Sequence, residues 1–255
     1  MRIMLTNDDG INAPGLAILE KIAAQLSDDI WVIAPAEENS GAGHSLTLTR
    51  PIRIRKHGEK RFSVTGTPTD SVMLGLGKIM EDFRPDLILS GVNRGANLGD
   101  DITYSGTVAA AMEGTLAGVR SIALSQVYSK ESIGDGVSFD AALRFGADVV
   151  KKIITHKFPD RTLVNVNFPP LSPDEVKGVK VVRQGFHDYG RAAIVPGRDP
   201  RGFDYYWFGL HGMEHSPDHN TDLEAIDDGY ISVTPLQLDL THNDSLDALS
   251  KAFQG

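Results

Sequence analysis

Two adjacent carboxylates, Asp8 and Asp9, follow the first apolar run of the chain. Carboxylates confined side by side repel each other, and one is driven towards protonation unless a cation lies between them. The chain contains no cysteine and no histidine lies near this pair, so the available ligands are oxygens, which favour a hard ion such as Mg²⁺ or Mn²⁺. The run Asn7–Gly10 is also good turn and helix N-cap sequence. Residue types and spacing leave both interpretations open.

A second candidate site is Ser105-Gly106-Thr107, directly before the helix-forming residues 108–112. A helix N-terminus presents unpaired N–H groups and a partial positive charge, and two hydroxyls add donors. A glycine at position 106 would let a ligand approach the backbone. The pattern therefore predicts an anion site, although Ser/Thr capping of a helix is the more common reason for it.

Asn93 and Asn97 lie in a glycine-spaced segment and could bind a cation through oxygen or a phosphoryl group through nitrogen. Turn formation among Gly91, Gly95 and Gly99 is the alternative. These glycines do not form the G-x-G-x-x-G dinucleotide fingerprint, and no P-loop or G-x-S-x-G motif occurs.

The elements that must position these residues alternate between strand and helix. Continuous apolar runs indicate strands that are buried on both faces of a parallel sheet. They are Arg2–Thr6, Ile30–Ala34, Asp86–Ser90, Arg120–Ser125 and Leu163–Phe168. Helical periodicity covers residues 16–26 and 139–154. The alternation predicts an α/β fold, a Rossmann-like three-layer sandwich with a mostly parallel sheet and right-handed crossovers.

Three loops should meet at one edge of this sheet, because ligands bind outside the carboxyl ends of parallel strands. One loop contains Asp8 and Asp9, the next runs from Pro35 through Ser40, and the third covers residues 91–101. We therefore expect small oxygen-bearing side chains from all three to lie close together.

Two segments interrupt the alternation. Residues 46–56 and 61–65 predict an inserted hairpin, whose basic side chains would protect a sheet edge or, less commonly, steer an anionic substrate. Residues 183–230 lack helical periodicity and hold eight aromatic residues, which should pack on the main sheet or on a neighbouring subunit. We accordingly predict one domain with an extension: a Rossmann-like core over 1–182, which contains the candidate metal and phosphate residues, and over 183–255 an aromatic-rich β extension with a C-terminal helix, suited to oligomerisation.

Three histidines within that aromatic segment are spaced four apart, at positions 211, 215 and 219. Gly212 and Pro217 disfavour the helix that would align them, so a metal site is not expected there.

Charge and composition exclude several classes of protein. The net charge of −9 in 255 residues argues against binding to a nucleic-acid duplex. No apolar run is long enough for a membrane helix, and the first residues do not resemble a secretory signal, so a cytoplasmic protein without membrane contact is expected. The absence of cysteine removes disulfides, thiolate zinc sites and cysteine nucleophiles.

Several motifs in a fixed order resemble the SurE (survival protein E) family of metal-dependent 5′-nucleotidases. They are Asn7–Gly10 after a first strand, Pro35 leading to Ser40-Gly41, Gly66–Asp70, Ser90–Gly99, Tyr104–Val108 and Ser232–Leu236. The resemblance implies one divalent cation per subunit, bound by Asp8, Asp9, Ser40 and Asn93, with Asp8 and Asp9 as the catalytic carboxylates. It further implies a phosphate site at Ser105, Gly106 and Thr107, with Asn97 nearby.

The resemblance also implies a reaction and an assembly. Nucleoside 5′- and 3′-monophosphates would be hydrolysed and polyphosphate trimmed, by a homodimer or homotetramer that exchanges C-terminal elements. The sequence departs from the family at Glu37-Glu38-Asn39, where basic residues are more usual, so the local potential differs. Three other hypotheses stay open: a non-catalytic nucleotide sensor, an NAD(P)-dependent oxidoreductase and a purely structural oligomer. Which carboxylate takes a proton, or attacks phosphorus itself, also stays open.

Overall fold

A single large sheet forms the centre of the computed structural model, which describes residues 1–128, 137–186, 193–209 and 220–253. The strands are β1 (Arg2–Thr6), β2 (Asp29–Pro35), β3 (Ile54–Gly58), β4 (Arg61–Val64), β5 (Leu87–Arg94), β6 (Arg120–Gln126), β7 (Thr162–Phe168), β8 (Val179–Val181), β9 (Ala193–Arg198), β10 (Asp204–Gly209) and β11 (Ile231–Gln237). Nine of them form the order β3-β4-β2-β1-β5-β6-β7-β11-β8, while β9 and β10 form a separate ribbon. The pairs from β4 to β7 are parallel, and β3 and β11 enter antiparallel to β4 and β7.

Helices cover both faces of the sheet. They are α1 (Pro14–Ala23), α2 (Pro68–Leu74), α3 (Gly106–Leu116), α4 (Asp140–Ile154), α5 (Asp222–Asp227) and α6 (Asn243–Ala252). The apolar residues of α1 and α4 join one buried cluster with β1, β5, β6 and β7, whereas those of α2 and α3 pack in clusters on the opposite face. The predicted three-layer α/β sandwich is confirmed. No helix in the described ranges is long and apolar enough to cross a bilayer.

The predicted strands differ from the observed ones in one place that matters for function. We expected the strand beginning at Asp86 to end at Ser90, which would put Asn93 in a loop. β5 instead continues to Arg94 after an irregularity, and Asn93 pairs with Ser125 of β6. The glycine at position 91 suggested a turn, but it is the point at which the strand is interrupted and resumes.

The predicted hairpin is only partly correct. Its first half is not a strand until Ile54, and the hairpin is joined to the main sheet because β4 lies parallel to β2. β3 is the exposed edge strand and carries the basic residues Arg55 and Lys56.

The segment 183–230 contains a helix that its sequence did not predict. α5 begins at a capping box formed by Thr221 and Glu224. The ribbon β9–β10 leaves Phe203, Tyr206 and Trp207 exposed. The three spaced histidines lie outside the described residues.

The expected division of the chain at residue 182 stays a prediction. β11, which follows that position in the sequence, pairs with β7, which precedes it, and with β8.

Candidate active site

Small polar residues end the central strands at one edge of the sheet. Thr6 pairs with Ser90, and Ser125 pairs with Asn167, so four neighbouring strands carry buried polar side chains near their carboxyl ends. Apolar residues fill the same strands further back, which keeps the strands in the core. This edge of the sheet is therefore lined by polar groups, and Asp8 and Asp9 lie there, just after the end of β1.

Asp8 is buried directly against the start of α3. Its side chain belongs to a residue that is only 4% exposed, and the hydroxyl of Thr107 donates a hydrogen bond to Oδ1. Burial raises the pKa of Asp8 to about 6; the Thr107 hydrogen bond opposes this rise and the charge of Asp9 adds to it. An ionised Asp8 is thus unfavourable in this environment unless a positive charge compensates it.

Gly106 makes this approach possible. A Cβ atom at position 106 would lie 2.7 Å from the Cβ of Asp8 and 3.0 Å from Pro68. The position that a Cβ of residue 106 would take is thus filled by Asp8 itself, while the approach of a ligand to the Gly106 backbone stays a prediction. The glycine brings the carboxylate to the helix N-terminus.

Asp9 is less buried and faces β5. The backbone N–H of Arg94 donates to Oδ2 at 3.3 Å. Burial raises the pKa of Asp9, the hydrogen bond and charge of Arg94 oppose the rise, and Glu38 contributes to it. This contact brings the carboxylate beside Asn93, the residue before Arg94.

Ser40 lies in the loop after β2. The N–H of Asn39 donates to the carbonyl oxygen of Asp8 at 2.8 Å, which ties the loop to the end of β1. The Ser40 hydroxyl is exposed and donates to Oε1 of Glu38 at 2.8 Å. Because the proton points to Glu38, the lone pairs of the Ser40 oxygen are free to face another group.

Asn93 is half-buried on the extension of β5. Its Nδ2 donates to the carbonyl oxygen of Gly95 at 3.0 Å, which leaves its side-chain oxygen as the group suited to a cation. The preceding carbonyl, of Val92, lies where a side chain at Gly15 of α1 would be: a Cβ there would be 1.9 Å from it. Helix α1 thus contacts the strand immediately before Asn93.

The structure shows the capping interpretation of the Ser105–Thr107 motif, whereas the anion site stays a prediction. Ser105 caps α3, since its hydroxyl oxygen accepts from the N–H of Val108 at 3.0 Å. Its hydroxyl proton remains available to a ligand. Thr107 is fully buried and donates to Asp8, so its hydroxyl links the carboxylate to the helix rather than pointing to solvent.

Asn97 is buried above the end of β6. Its Nδ2 donates to the hydroxyl of Ser125 at 2.8 Å, which leaves one further N–H of the amide. Asn165 and Asn167 bond its backbone.

The donor set suits a hard divalent cation. Two carboxylates with raised pKa values follow β1, a hydroxyl oxygen lies in the loop after β2, and a carboxamide oxygen lies near the end of β5. The N–H groups of Asn39 and Arg94 join these segments by donating to Asp8 and Asp9. Within the described ranges, no group of three or more His, Cys, Asp or Glu side chains is placed to hold a metal ion, so this donor set depends on its hydroxyl and amide oxygens as well as on two carboxylates. Two of the four expected ligands are neutral, so the resident ion, if bound here, would be held by oxygen ligands carrying two negative charges.

Sequence reasoning missed the residues that hold the Asn97 loop. Asn165 and Asn167 alternate with buried valines in β7, and a polar residue in a strand buried on both faces is itself a signal. Asp222 is fully buried and accepts from the N–H of Gly99 at 3.0 Å, but nothing local in the sequence indicates that contact.

A family model described as "Survival protein SurE" matches residues 3–191. The chain belongs to the SurE family. A SurE relative from Erythrobacter litoralis (strain HTCC2594), named "5'-nucleotidase SurE", is 65% identical over 254 residues and each sequence covers 100% of the other. A relative of the same name from Rhizorhabdus wittichii is 58% identical over 254 residues, again covering 100% of both.

A solved SurE structure has the same fold. The crystal structure of the SurE protein from Aquifex aeolicus superposes with a TM-score of 0.83 at 40% sequence identity, covering 99% of each chain.

Proposed function

We propose that the chain hydrolyses nucleoside 5′-monophosphates to nucleoside and phosphate, using one divalent cation per subunit, Mg²⁺ or Mn²⁺. At the level of enzyme class it is a 5′-nucleotidase, a phosphoric monoester hydrolase, as its full-length relatives are named. The observation that carries the finer proposal is the contact between Asp8 and Thr107, which joins the carboxylate pair to the N-terminus of α3.

The cation would be held by Asp8, Asp9, Ser40 and Asn93. When bound, it would act as a Lewis acid on the phosphoryl group and on the attacking water. The raised pKa values of Asp8 and Asp9 support this assignment, because a cation removes the penalty of keeping two buried carboxylates ionised.

The phosphoryl group would lie at the start of α3, bound by Ser105, Gly106, Thr107 and Asn97. The first N–H groups of a helix and the partial positive charge there stabilise phosphoryl oxygens. Ser105 offers its hydroxyl proton and Asn97 its remaining amide N–H. Thr107 acts through its backbone and holds Asp8 in place through its side chain.

Hydrolysis of a phosphate monoester is among the slowest uncatalysed reactions, so the site must stabilise a highly charged transition state. α3 supplies donors that are already oriented by Ser105 and by Asp8, so no reorganisation is needed as charge develops. Asp8 and Asp9 are the carboxylates that hold or accept a proton there.

The test is phosphate release by the purified protein from AMP. Activity with Mn²⁺ or Mg²⁺ and its loss in EDTA are expected; steady turnover in EDTA, or no release with any divalent ion, would refute the proposal. Parallel assays with 3′-AMP, polyphosphate and an aryl phosphate test the wider substrate range, which we extend to 3′-monophosphates and polyphosphate ends.

We further propose a homodimer or homotetramer in which C-terminal elements are exchanged. All ten residues of α6 are exposed, including Leu246 and Leu249, which supports contact with another subunit. Light scattering on the full chain and on a chain shortened at residue 241 tests this assembly. A cytoplasmic location is proposed on the sequence grounds given above.

A further inference from the structure

The loop that carries Asn97 is held by side chains from distant parts of the chain. At two positions, Asn97 and Gly99, the backbone N–H and the backbone carbonyl oxygen all bond side chains. A surface loop normally leaves such groups to solvent or pairs them locally. Here they point into the protein and find fixed partners there.

Strand β7 holds Asn97. The N–H of Asn97 donates to Oδ1 of Asn167 at 2.9 Å, and its carbonyl oxygen accepts from Nδ2 of Asn167 at 3.0 Å and of Asn165 at 2.8 Å. Both strand residues are fully buried. Since β7 lies inside the sheet, between β6 and β11, these amides have rigid backbones behind them.

The C-terminal extension holds Gly99. Its N–H donates to Oδ2 of Asp222 at 3.0 Å, and its carbonyl oxygen accepts from Nε2 of Gln184 at 3.0 Å. The other carboxylate oxygen of Asp222 accepts from the N–H of Gly185 at 2.8 Å and of Leu223 at 3.0 Å. One fully buried carboxylate therefore joins the loop to two segments of the extension.

These contacts fix the one side chain of the loop that the proposed function uses. With its backbone bound on both sides, Asn97 has its Nδ2 on Ser125 and a single amide N–H left. Removing one partner leaves a buried polar group unsatisfied, which the loop can relieve only by moving. A displacement of that kind changes where Asn97 points.

We propose that Asn165, Asn167, Gln184 and Asp222 are positioning residues that set Asn97 for binding the phosphoryl group. The extension after residue 182 would then contribute to substrate binding as well as to assembly. This inference rests on the proposed function, which assigns Asn97 to phosphate.

Asp222→Asn is the first test, because it keeps the shape of the side chain and replaces one accepting oxygen by a donor. The KM for AMP and the inhibition constant of inorganic phosphate should rise together by about tenfold, with a smaller change in kcat. Asp228→Asn is the matched control: it makes the same change at the end of the same helix, where Asp228 pairs with Lys180 on the surface, and should leave both constants unchanged.

Gln184→Met is the second test, in case Asp222→Asn does not fold. Gln184 is half-buried, and methionine fills its space without donating to Gly99. The KM for AMP and the inhibition constant of inorganic phosphate should again rise together, by about threefold because only one hydrogen bond is lost. If both variants lower the melting temperature while KM and the phosphate constant stay at wild-type values, their role is structural only and the inference is wrong.

Asn97→Ala separates this inference from the proposed function. It should weaken phosphate inhibition by itself, and Asp222→Asn added to it should have no further effect on phosphate. If Asn97→Ala leaves phosphate inhibition unchanged, the assignment of Asn97 is wrong and the inference with it. If Asn97→Ala weakens inhibition and Asp222→Asn weakens it again by the full factor, Asp222 does not act through Asn97 and only the inference fails.

Discussion

At the end of β1 a buried carboxylate lies next to a second one, whereas at the start of α3 the side-chain oxygens of Ser105 and Thr107 already have hydrogen-bond partners within the protein. Asp8 and Asp9 have raised pKa values because burial disfavours their charge. Ser105 caps its helix, and Asn97 bonds Ser125 and β7. Keeping both carboxylates ionised is thus unfavourable, while the residues at the helix start carry no such penalty. In the proposed function, a cation would relieve the cost of burying the carboxylates, whereas a phosphoryl group would add contacts to a helix start that is stable without it.

The largest expected effect is on catalysis, at the carboxylate side. Asp9→Asn keeps an oxygen that can accept from Arg94 and removes one of two negative charges offered to the cation. Metal-dependent phosphate release should fall by about 10³-fold or more, with the fold intact by circular dichroism. Glu37→Gln removes a charge nearby without touching the site and should retain activity. Wild-type turnover in Asp9→Asn would mean that the carboxylate pair is not the cation side.

The next effect is a gain in stability, expected when the charge of Asp8 is removed. A pKa raised from 3.8 to about 6 means that folded Asp8 binds its proton more tightly than the unfolded chain does. The contribution of this tighter proton binding to the free energy of unfolding is present in full below about pH 4 and is lost as the pH rises through about 6. Asp8→Asn should therefore stabilise the metal-free protein at pH 7 by up to about 3 kcal/mol, and much less at pH 4.

Thermal melts in EDTA at the two pH values measure this difference. We expect Mn²⁺ to raise the melting temperature of the unsubstituted protein and Asp8→Asn to lose this rise. A variant that is no more stable than wild type at pH 7 would show that burial of Asp8 carries no penalty, and the contrast between the two sides of the site would disappear.

A smaller effect is expected on the helix side. Ser105→Ala removes both the cap and the hydroxyl proton, and should raise the KM for AMP about tenfold while costing about 1 kcal/mol of stability. Ser105→Gly lacks the same hydroxyl but costs only a few tenths of a kcal/mol as a cap. Equal KM values in the two variants identify the hydroxyl as the binding group; a rise in the alanine variant alone points to helix stability instead.

The smallest effect tests how the acidic residues before Ser40 act. Glu38 accepts a hydrogen bond from the Ser40 hydroxyl, while Glu37 is exposed beside it. Each change to glutamine removes one charge, but only Glu38→Gln alters the bond that orients Ser40. Mn²⁺ affinity by calorimetry should fall about threefold more in Glu38→Gln than in Glu37→Gln. In a Ser40→Ala background the difference between the two should shrink to the part that comes from the charge of Glu38 beside Asp9.

Local patterns in the sequence identified the candidate residues on both sides of the proposed site. Asp8, Asp9, Ser105 and Thr107 are short-range motifs at the ends of predicted elements, and the structure brings Asp8 and Thr107 into contact across 99 residues. That contact follows from the rule that parallel strands present their carboxyl ends at one edge. The α/β fold could also be predicted from local patterns, since the alternation of strand and helix is visible along the chain.

What could not be predicted depends on contacts without a local pattern. Asn97 meets Asn167 over 70 residues and Gly99 meets Asp222 over 123, and no periodicity encodes such pairs. The extension of β5 past Ser90 depends on pairing with β6, which overrides the turn tendency of Gly91. The close contact between Gly106 and Asp8 could not be predicted from the sequence either. Only the structure shows that Asp8 fills the space that a side chain at position 106 would need.

Gly15 shows that a substitution outside the proposed site can disturb a residue within it. Helix α1 touches the sheet there without a side chain, and the carbonyl of Val92 occupies the vacant position, one residue before Asn93. Even a single methyl group added to this helix would push the strand that presents an expected metal ligand. A glycine-to-alanine change usually stabilises a helix, but here we expect it to lower activity, although Gly15 is not itself one of the proposed site residues.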